Sequence, residues 1–91
     1  MNKGELVSVI AEKASVTKKE AELILDATLE TIVESVSNGE KISLVGFGSF
    51  EKRHRKARDG RNPQTGQTIK IPATDVPGFS AGKGFKERVA A

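Results

Sequence analysis

Apolar positions recur along this chain with two different periods, and the change from one to the other falls near residue 40. Leu6, Val7, Ile10, Ala11 and Ala14 follow one another at the three- and four-residue steps of a helix face. Asn2 stands where a side-chain oxygen can accept from a free amide of the first turn, so it is the expected N-cap. Ser15-Val16-Thr17 breaks the pattern. Thr17 and Glu20 then have the spacing of a capping box, and Ala21, Ile24, Leu25, Thr28, Leu29, Ile32, Val33 and Val36 predict a second helix with a wide apolar stripe. Asn38-Gly39 supplies its stop, since glycine enters the left-handed conformation cheaply.

Beyond residue 40 the period shortens to two. Ile42 and Leu44 alternate with polar neighbours, Gly46 and Gly48 interrupt, and Phe50 resumes the strand; Val45 and Phe47 add bulk around the glycines. After Phe50 the alternation stops and the side chains become polar on both faces, through Lys52, Arg53, His54, Arg55, Lys56 and Arg58 to Arg61. Thr68-Ile69-Lys70-Ile71 alternates again. Between the two runs, Arg61-Asn62-Pro63-Gln64-Thr65-Gly66 is a strong turn signal. Residues 50–74 therefore predict a long hairpin whose base can pack and whose distal half cannot. Thr74 to Ser80 reads as a connector, and Ser80 as the cap of a short last helix holding Lys83, Phe85, Lys86 and Val89.

These elements define an α+β chain forming one domain over residues 1–91: a helical part over 1–40, sheet and arm over 41–74, connector and final helix over 75–91. The net charge of +3 hides a division. Residues 1–40 carry four basic and eight acidic side chains, net −4; residues 41–91 carry eleven basic and four acidic, net +7. Such segregation points to a polyanionic partner, nucleic acid or a membrane surface. No run approaches the roughly 18 apolar residues of a membrane span, and the amino terminus lacks the h-region of a signal peptide. Cysteine is absent, which fits a reducing compartment. The cytoplasm, at the nucleoid, is the expected location.

Two-stranded hairpins without a packed face are marginal in water. The distal arm is expected to be ordered by a partner offering negative charge along an extended track. In an extended strand Arg53 and Arg55 share one face while Lys52, Lys56 and Arg58 share the other, so both faces are cationic, as a phosphate-lined groove requires. Roughly seventy residues remain for a core, near the size at which one core supplies only about 3–5 kcal/mol. Phe47, Phe50 and Phe79, with Leu29, Ile32 and Val36 on the second helix, are generous for so small a body. They predict a two-fold homodimer in which these surfaces cover one another, and two arms around one rod form a clamp.

Catalytic chemistry finds no footing. The one histidine, His54, lies among arm cations and reads as a solvated side chain. The Gly46–Phe50 stretch lacks the third glycine and following helix of a dinucleotide site. Gly78 to Gly84 has the wrong spacing for a phosphate loop, and Gly84 stands where a magnesium-binding hydroxyl belongs. No metal-ligand spacing is present, and no cofactor or small-molecule substrate is expected.

The stretch from Gly46 to Gly66, followed by Ile71 to Lys83, closely resembles the bacterial histone-like family of HU and integration host factor. So do the opening residues 1–7, the start of the second helix at 16–22, and the terminal segment 79–89. The resemblance implies an intertwined homodimer with a helical base, a short β-sheet saddle and two protruding β-ribbon arms in the minor groove of double-stranded DNA. Minor-groove bending is the behaviour that the resemblance implies. It implies that Pro63 wedges between base pairs, flanked in the groove by Arg61 and Asn62. Arg53, Arg55, Lys56 and Arg58 would line the groove or its phosphates, and Lys3, Lys83 and Lys86 would hold DNA against the body. A compact ring, no backbone donor and a fixed φ suit proline to the wedge role. The expected activity is non-sequence-specific binding and bending. The alternatives are a site-specific bender of the integration-host-factor type and an RNA-binding assembly module.

Overall fold

The computed structural model describes residues 1–91 and contains helices α1 (Lys3–Ala14), α2 (Lys18–Ser37) and α3 (Lys83–Ala90). Strands β1 (Ile42–Leu44), β2 (Gly48–Arg55), β3 (Arg58–Arg61), β4 (Thr68–Ile71) and β5 (Thr74–Ala81) lie between α2 and α3. The class is α+β. Two compact units divide the chain, Met1–Glu34 and Ser35–Ala91.

In the first unit, the Asn2 side chain accepts from the Glu5 amide at 2.9 Å, as its position predicted. α1 ends with Ser15 at φ 55°, the left-handed conformation. The Val16 amide donates to the Ala11 carbonyl and the Ser15 amide to that of Glu12, the paired bonds of a Schellman motif. Val16, just past that end, packs on the core of Val7, Ala11 and Ala21, joined by Ile10 and Leu25. At the start of α2 the Glu20 amide donates to Thr17 Oγ1 at 3.1 Å, while the hydroxyl donates to the Glu20 carboxylate at 2.9 Å. The box therefore closes side chain to side chain instead of returning to the Thr17 amide. Only part of the α2 stripe is covered: Ala21 is buried, whereas Ile24, Leu29 and Val33 are 61%, 49% and 64% exposed.

The second unit begins with the last turn of α2. Gly39 donates to the Val36 carbonyl and Glu40 to that of Ser35, a second Schellman ending, and Val36 is buried. The chain then enters a three-stranded antiparallel sheet in the order β1-β2-β5. Leu44 to Phe47 makes the turn between β1 and β2, closed by the Phe47 amide on the Leu44 carbonyl; Gly46, at φ 80°, occupies its left-handed corner. Phe47, Phe50, Phe79 and Phe85 gather into one cluster with ring centroids 4.9–6.4 Å apart.

Residues 74–81 are not a connector. They form β5, paired with β2 from Gly48↔Ala81 to Arg55↔Thr74. Their sequence lacks strand character because Pro77 and Gly78 interrupt it, but β5 is an edge strand, where a missing amide costs little. Ser80 is likewise no cap: it lies within β5, and Gly82 starts α3 without any side-chain bond. Gly84 has a packing reason, since a Cβ there would sit 3.3 Å from the Gly46 carbonyl oxygen.

β3 and β4 form a separate two-stranded sheet. Their register continues that of β2 and β5 without a slip. Arg55 faces Thr74, and three residues further on Arg58 faces Ile71. One ribbon therefore runs from the β2–β5 base to the tip, interrupted at Lys56-Ala57 and Pro72-Ala73. Pro72 has no amide to give to the ladder. β3 and β4 make no substantial contact with any other element.

Candidate nucleic-acid interface

The ribbon register determines which side chains share a face, because residues directly opposite in an antiparallel pair project to the same side. On one face lie Lys52, His54 and Arg58, opposite Pro77, Asp75 and Ile71, with Ile69 opposite Gly60. On the other lie Arg53, Arg55, Asp59 and Arg61, with Lys70 opposite Asp59. The expected division between two faces is thus present for Lys52, Arg53, Arg55 and Arg58, and Lys70, carried by the short alternating strand, joins them.

The cations differ in how they are held. Arg55, Lys56, Arg58, Arg61 and Lys70 are exposed and take part in no ion pair. Arg53 is engaged: its Nη2 donates to Ser80 Oγ at 2.8 Å and its Nε to Glu51 at 3.3 Å. Its guanidinium lies over Gly78, where any side chain would collide with it. Lys52 donates to the Ser37 carbonyl at the end of α2, at 3.1 Å, and lies 3.7 Å from Asp75. Across the ladder, His54 Nδ1 is 2.8 Å from Asp75 Oδ1. That hydrogen bond, with Lys52 nearby, holds the Asp75 carboxyl below the usual range, against a smaller opposing effect of desolvation. His54 therefore has a partner, which its sequence neighbours did not reveal.

Residues 62–67 close the ribbon. The Asn62 amide donates to the Gln67 carbonyl and the Gly66 amide to the Asn62 carbonyl, both at 2.8 Å. Asn62 Oδ1 accepts from the Gln64 amide at 2.9 Å, an Asx-turn spanning Pro63. Gly66, at φ 70°, takes the left-handed corner that brings the chain back. The outcome is an exposed proline on a loop braced by its neighbour's side chain.

The body lysines belong to different units. Lys3, in the first unit, has its Nζ 2.7 Å from Asp26, an ion pair that raises the lysine's pKa, chiefly through the hydrogen bond. Lys83 and Lys86 are exposed on α3, Lys83 at 3.9 Å from Glu87 and Lys86 without an ion pair. Of the residues expected in a dimer core, Val36 is buried, Phe50 and Ile32 are half-buried, and Phe47, Phe79 and Leu29 stay more than 40% exposed. No group of histidine, cysteine or acidic side chains has the arrangement of a metal site. No helix is long and apolar enough to cross a membrane.

Against known proteins, the family described as bacterial DNA-binding protein matches residues 1–90. DNA-binding protein HU of Nostoc sp. is 68% identical over 90 residues, covering 99% of this chain and 96% of the relative. A cocrystal structure of Anabaena HU with DNA superimposes with a TM-score of 0.94 at 68% identity, covering 99% of this chain and 98% of that one. HU from Thermotoga maritima gives a TM-score of 0.69 at 40% identity, with 98% of both chains covered.

Proposed function

The chain belongs to the bacterial DNA-binding protein family, and we propose that it is a homodimeric architectural protein that binds and bends double-stranded DNA without reading its sequence. The observation that carries this reading is the ribbon of residues 55–74. Its strands β3 and β4 make no substantial contact with other elements, it presents five unpaired cations, and it ends in a braced, exposed Pro63. Phosphate neutralisation by Arg55, Lys56, Arg58, Arg61 and Lys70 supplies sequence-independent affinity. Arg53 acts one step back, tying β2 to β5 at the root of the arm. Asn62 shapes the tip so that Pro63 fills an opened base step. Unstacking costs a few kcal/mol, which the bend offsets by bringing flanking DNA onto the body, where Lys3, Lys83 and Lys86 meet it.

Residues 1–91 act as one DNA-binding domain in this reading, and a second copy covers the surfaces this chain leaves open. In the first unit the second copy covers Leu29 and Ile32; in the second unit it covers Val36, Phe47, Phe50 and Phe79. Isolated exposed apolar residues are ordinary, but contiguous ones mark an interface. The protein uses no cofactor, catalyses no reaction and works at the nucleoid.

The test is energy transfer between dyes at the two ends of a short duplex, alongside a binding titration. Pro63→Ala is expected to reduce bending more than it weakens binding. Unchanged bending removes the wedge. Binding that prefers one defined duplex strongly over random competitors would favour a site-specific bender. Binding of A-form RNA as tightly as DNA would favour an RNA module.

A further inference from the structure

Asparagine stands at positions 2, 38 and 62 of this chain, and only Asn38 is followed by glycine. An asparagine side-chain amide is open to attack by the backbone nitrogen of the next residue, which closes a five-membered succinimide. A side chain on that next residue hinders the ring, and a proline there has no amide hydrogen to give up. Asn62 precedes Pro63, and Asn2 precedes Lys3 while accepting from the Glu5 amide at 2.9 Å. Asn38 meets neither obstacle. It is exposed, and the space beside Gly39 is open, with no atom within 4 Å of where a Cβ would stand. Asp59-Gly60 shares the glycine, but an ionised carboxylate is a poor electrophile and Gly60 lies inside the β3–β4 ladder.

What restrains Asn38 is the end of α2. The Gly39 amide, the attacking group, donates to the Val36 carbonyl at 2.9 Å, and the Glu40 amide closes the same turn on the Ser35 carbonyl at 2.9 Å. Val36 is buried, and Lys52 Nζ donates to the Ser37 carbonyl at 3.1 Å. A nitrogen committed to the Val36 carbonyl does not turn on the Asn38 side chain. We propose that Asn38 is a site of self-modification gated by this helix end, converting to aspartate and isoaspartate only while the last turn of α2 is open. Helix ends open locally at far lower free energy than the whole fold. In the open turn the Gly39 nitrogen loses its proton to water and bonds to Asn38 Cγ, and the Cγ–Nδ2 bond breaks as ammonia departs. Water then opens the succinimide at either carbonyl. Cleavage of the new N–Cγ bond leaves aspartate; cleavage at the α-carbonyl leaves isoaspartate. One water is consumed and one ammonia released, with no redox partner. Either product sets a carboxylate at the negative end of the helix dipole, in a last turn that has no basic residue of its own. Isoaspartate also adds a methylene to the main chain between positions 38 and 39, so the two bonds of the turn no longer close together. The change is irreversible and marks chains whose helix end has opened.

The test follows the full-length protein during incubation at mildly alkaline pH, folded and in concentrated urea. Trypsin releases Asn38 in the fragment from Glu20 to Lys41, which holds no other asparagine and no glutamine, so a gain of one dalton there reports Asn38 alone. Two chromatographic peaks of equal mass, one of them labelled by an isoaspartyl methyltransferase, identify the two products. In urea Asn38 is expected to convert fastest of the three asparagines. In the folded protein its conversion is expected to slow by the factor that slows hydrogen exchange of the Gly39 amide, since one opening exposes both. Asn38→Gln, whose ring would be six-membered, is expected to keep the parent fold and leave the fragment unchanged. Asn2 or Asn62 converting ahead of Asn38 in urea overturns the site. Conversion as fast in the folded protein as in urea overturns the gate, as does an intact Asn38 beside a rapidly exchanging Gly39 amide. The aged protein is expected to melt below the fresh one, with Asn38→Asp between them; an aged fraction that melts as the fresh protein does overturns the effect on the helix end.

Discussion

Arg53 and Arg58 look alike in sequence, both inside the basic run, yet the structure gives them different tasks. Arg58 is exposed with no ion pair, whereas Arg53 is tied to Ser80 and Glu51 and laid over Gly78. Replacing each by glutamine removes one charge in both cases, so any difference measures what the charge was doing. Each phosphate neutralised contributes about −0.9 to the slope of log affinity against log salt concentration. A dimer loses two contacts with Arg58→Gln, so the slope should become shallower by about 1.8. Extrapolated to 0.1 M salt, two such contacts amount to about a 60-fold loss of affinity. Arg53→Gln should leave the slope within about 0.5 of the parent, because its guanidinium is held by its own sheet. The assay is fluorescence anisotropy on a labelled duplex over roughly 50–200 mM salt, with circular dichroism to confirm that each variant folds. Equal slope losses for the two variants, or a parent-like slope for Arg58→Gln, would refute the distinction between free and engaged arm cations.

Three further outcomes follow from the fold. Ser15 occupies the left-handed end of α1 at φ 55°, so Ser15→Gly should stabilise the protein by about 0.5–1 kcal/mol, relief of strain exceeding added chain entropy. A melting temperature equal to or below the parent's contradicts this. Asp75 is held below its ordinary value of 3.8 by His54 and Lys52, so its contribution is present above that value and is lost as pH falls below it. The stability gap between parent and Asp75→Asn should therefore be steady from pH 5 to 6 and shrink towards pH 2.5, in roughly the window set by an ordinary carboxylate; denaturant melts showing a constant gap refute it. A homodimer sharing the exposed Leu29, Phe47 and Phe79 surfaces should gain about 1.4 kcal/mol of apparent stability per tenfold rise in concentration. A melting temperature independent of concentration argues for a self-sufficient monomer.

How much of this was readable from residue order alone differs from element to element. The helix ends were, since Asn2, Thr17 and Gly39 act on amides and carbonyls within a few residues of themselves. Ser15 was not, because serine has no preference for the left-handed region; it accompanies the Val16 amide's bond to the Ala11 carbonyl and the packing of Val16 on the core of Val7, Ala11 and Ala21. The turn at 44–47 and the tip at 62–67 were legible from glycine, asparagine and proline. β5 was missed because an edge strand tolerates Pro77 and Gly78, and its pairing with β2 is supplied by residues 19 to 33 positions away. The same distance hid His54 and Asp75. Counting outward from Asn62 and Gln67 in equal steps would have paired them, but nothing local shows that the register survives the break at Lys56-Ala57.

Residue order by itself determined the helices, the turns, the charge division and the existence of an arm that cannot bury itself, because each depends on short-range geometry or on composition. Only the tertiary structure decided which cations are free, which carboxylate each engaged one meets, and which face of the ribbon is apolar. Those are properties of strand register, and register is set by side chains that become neighbours only after the chain has folded.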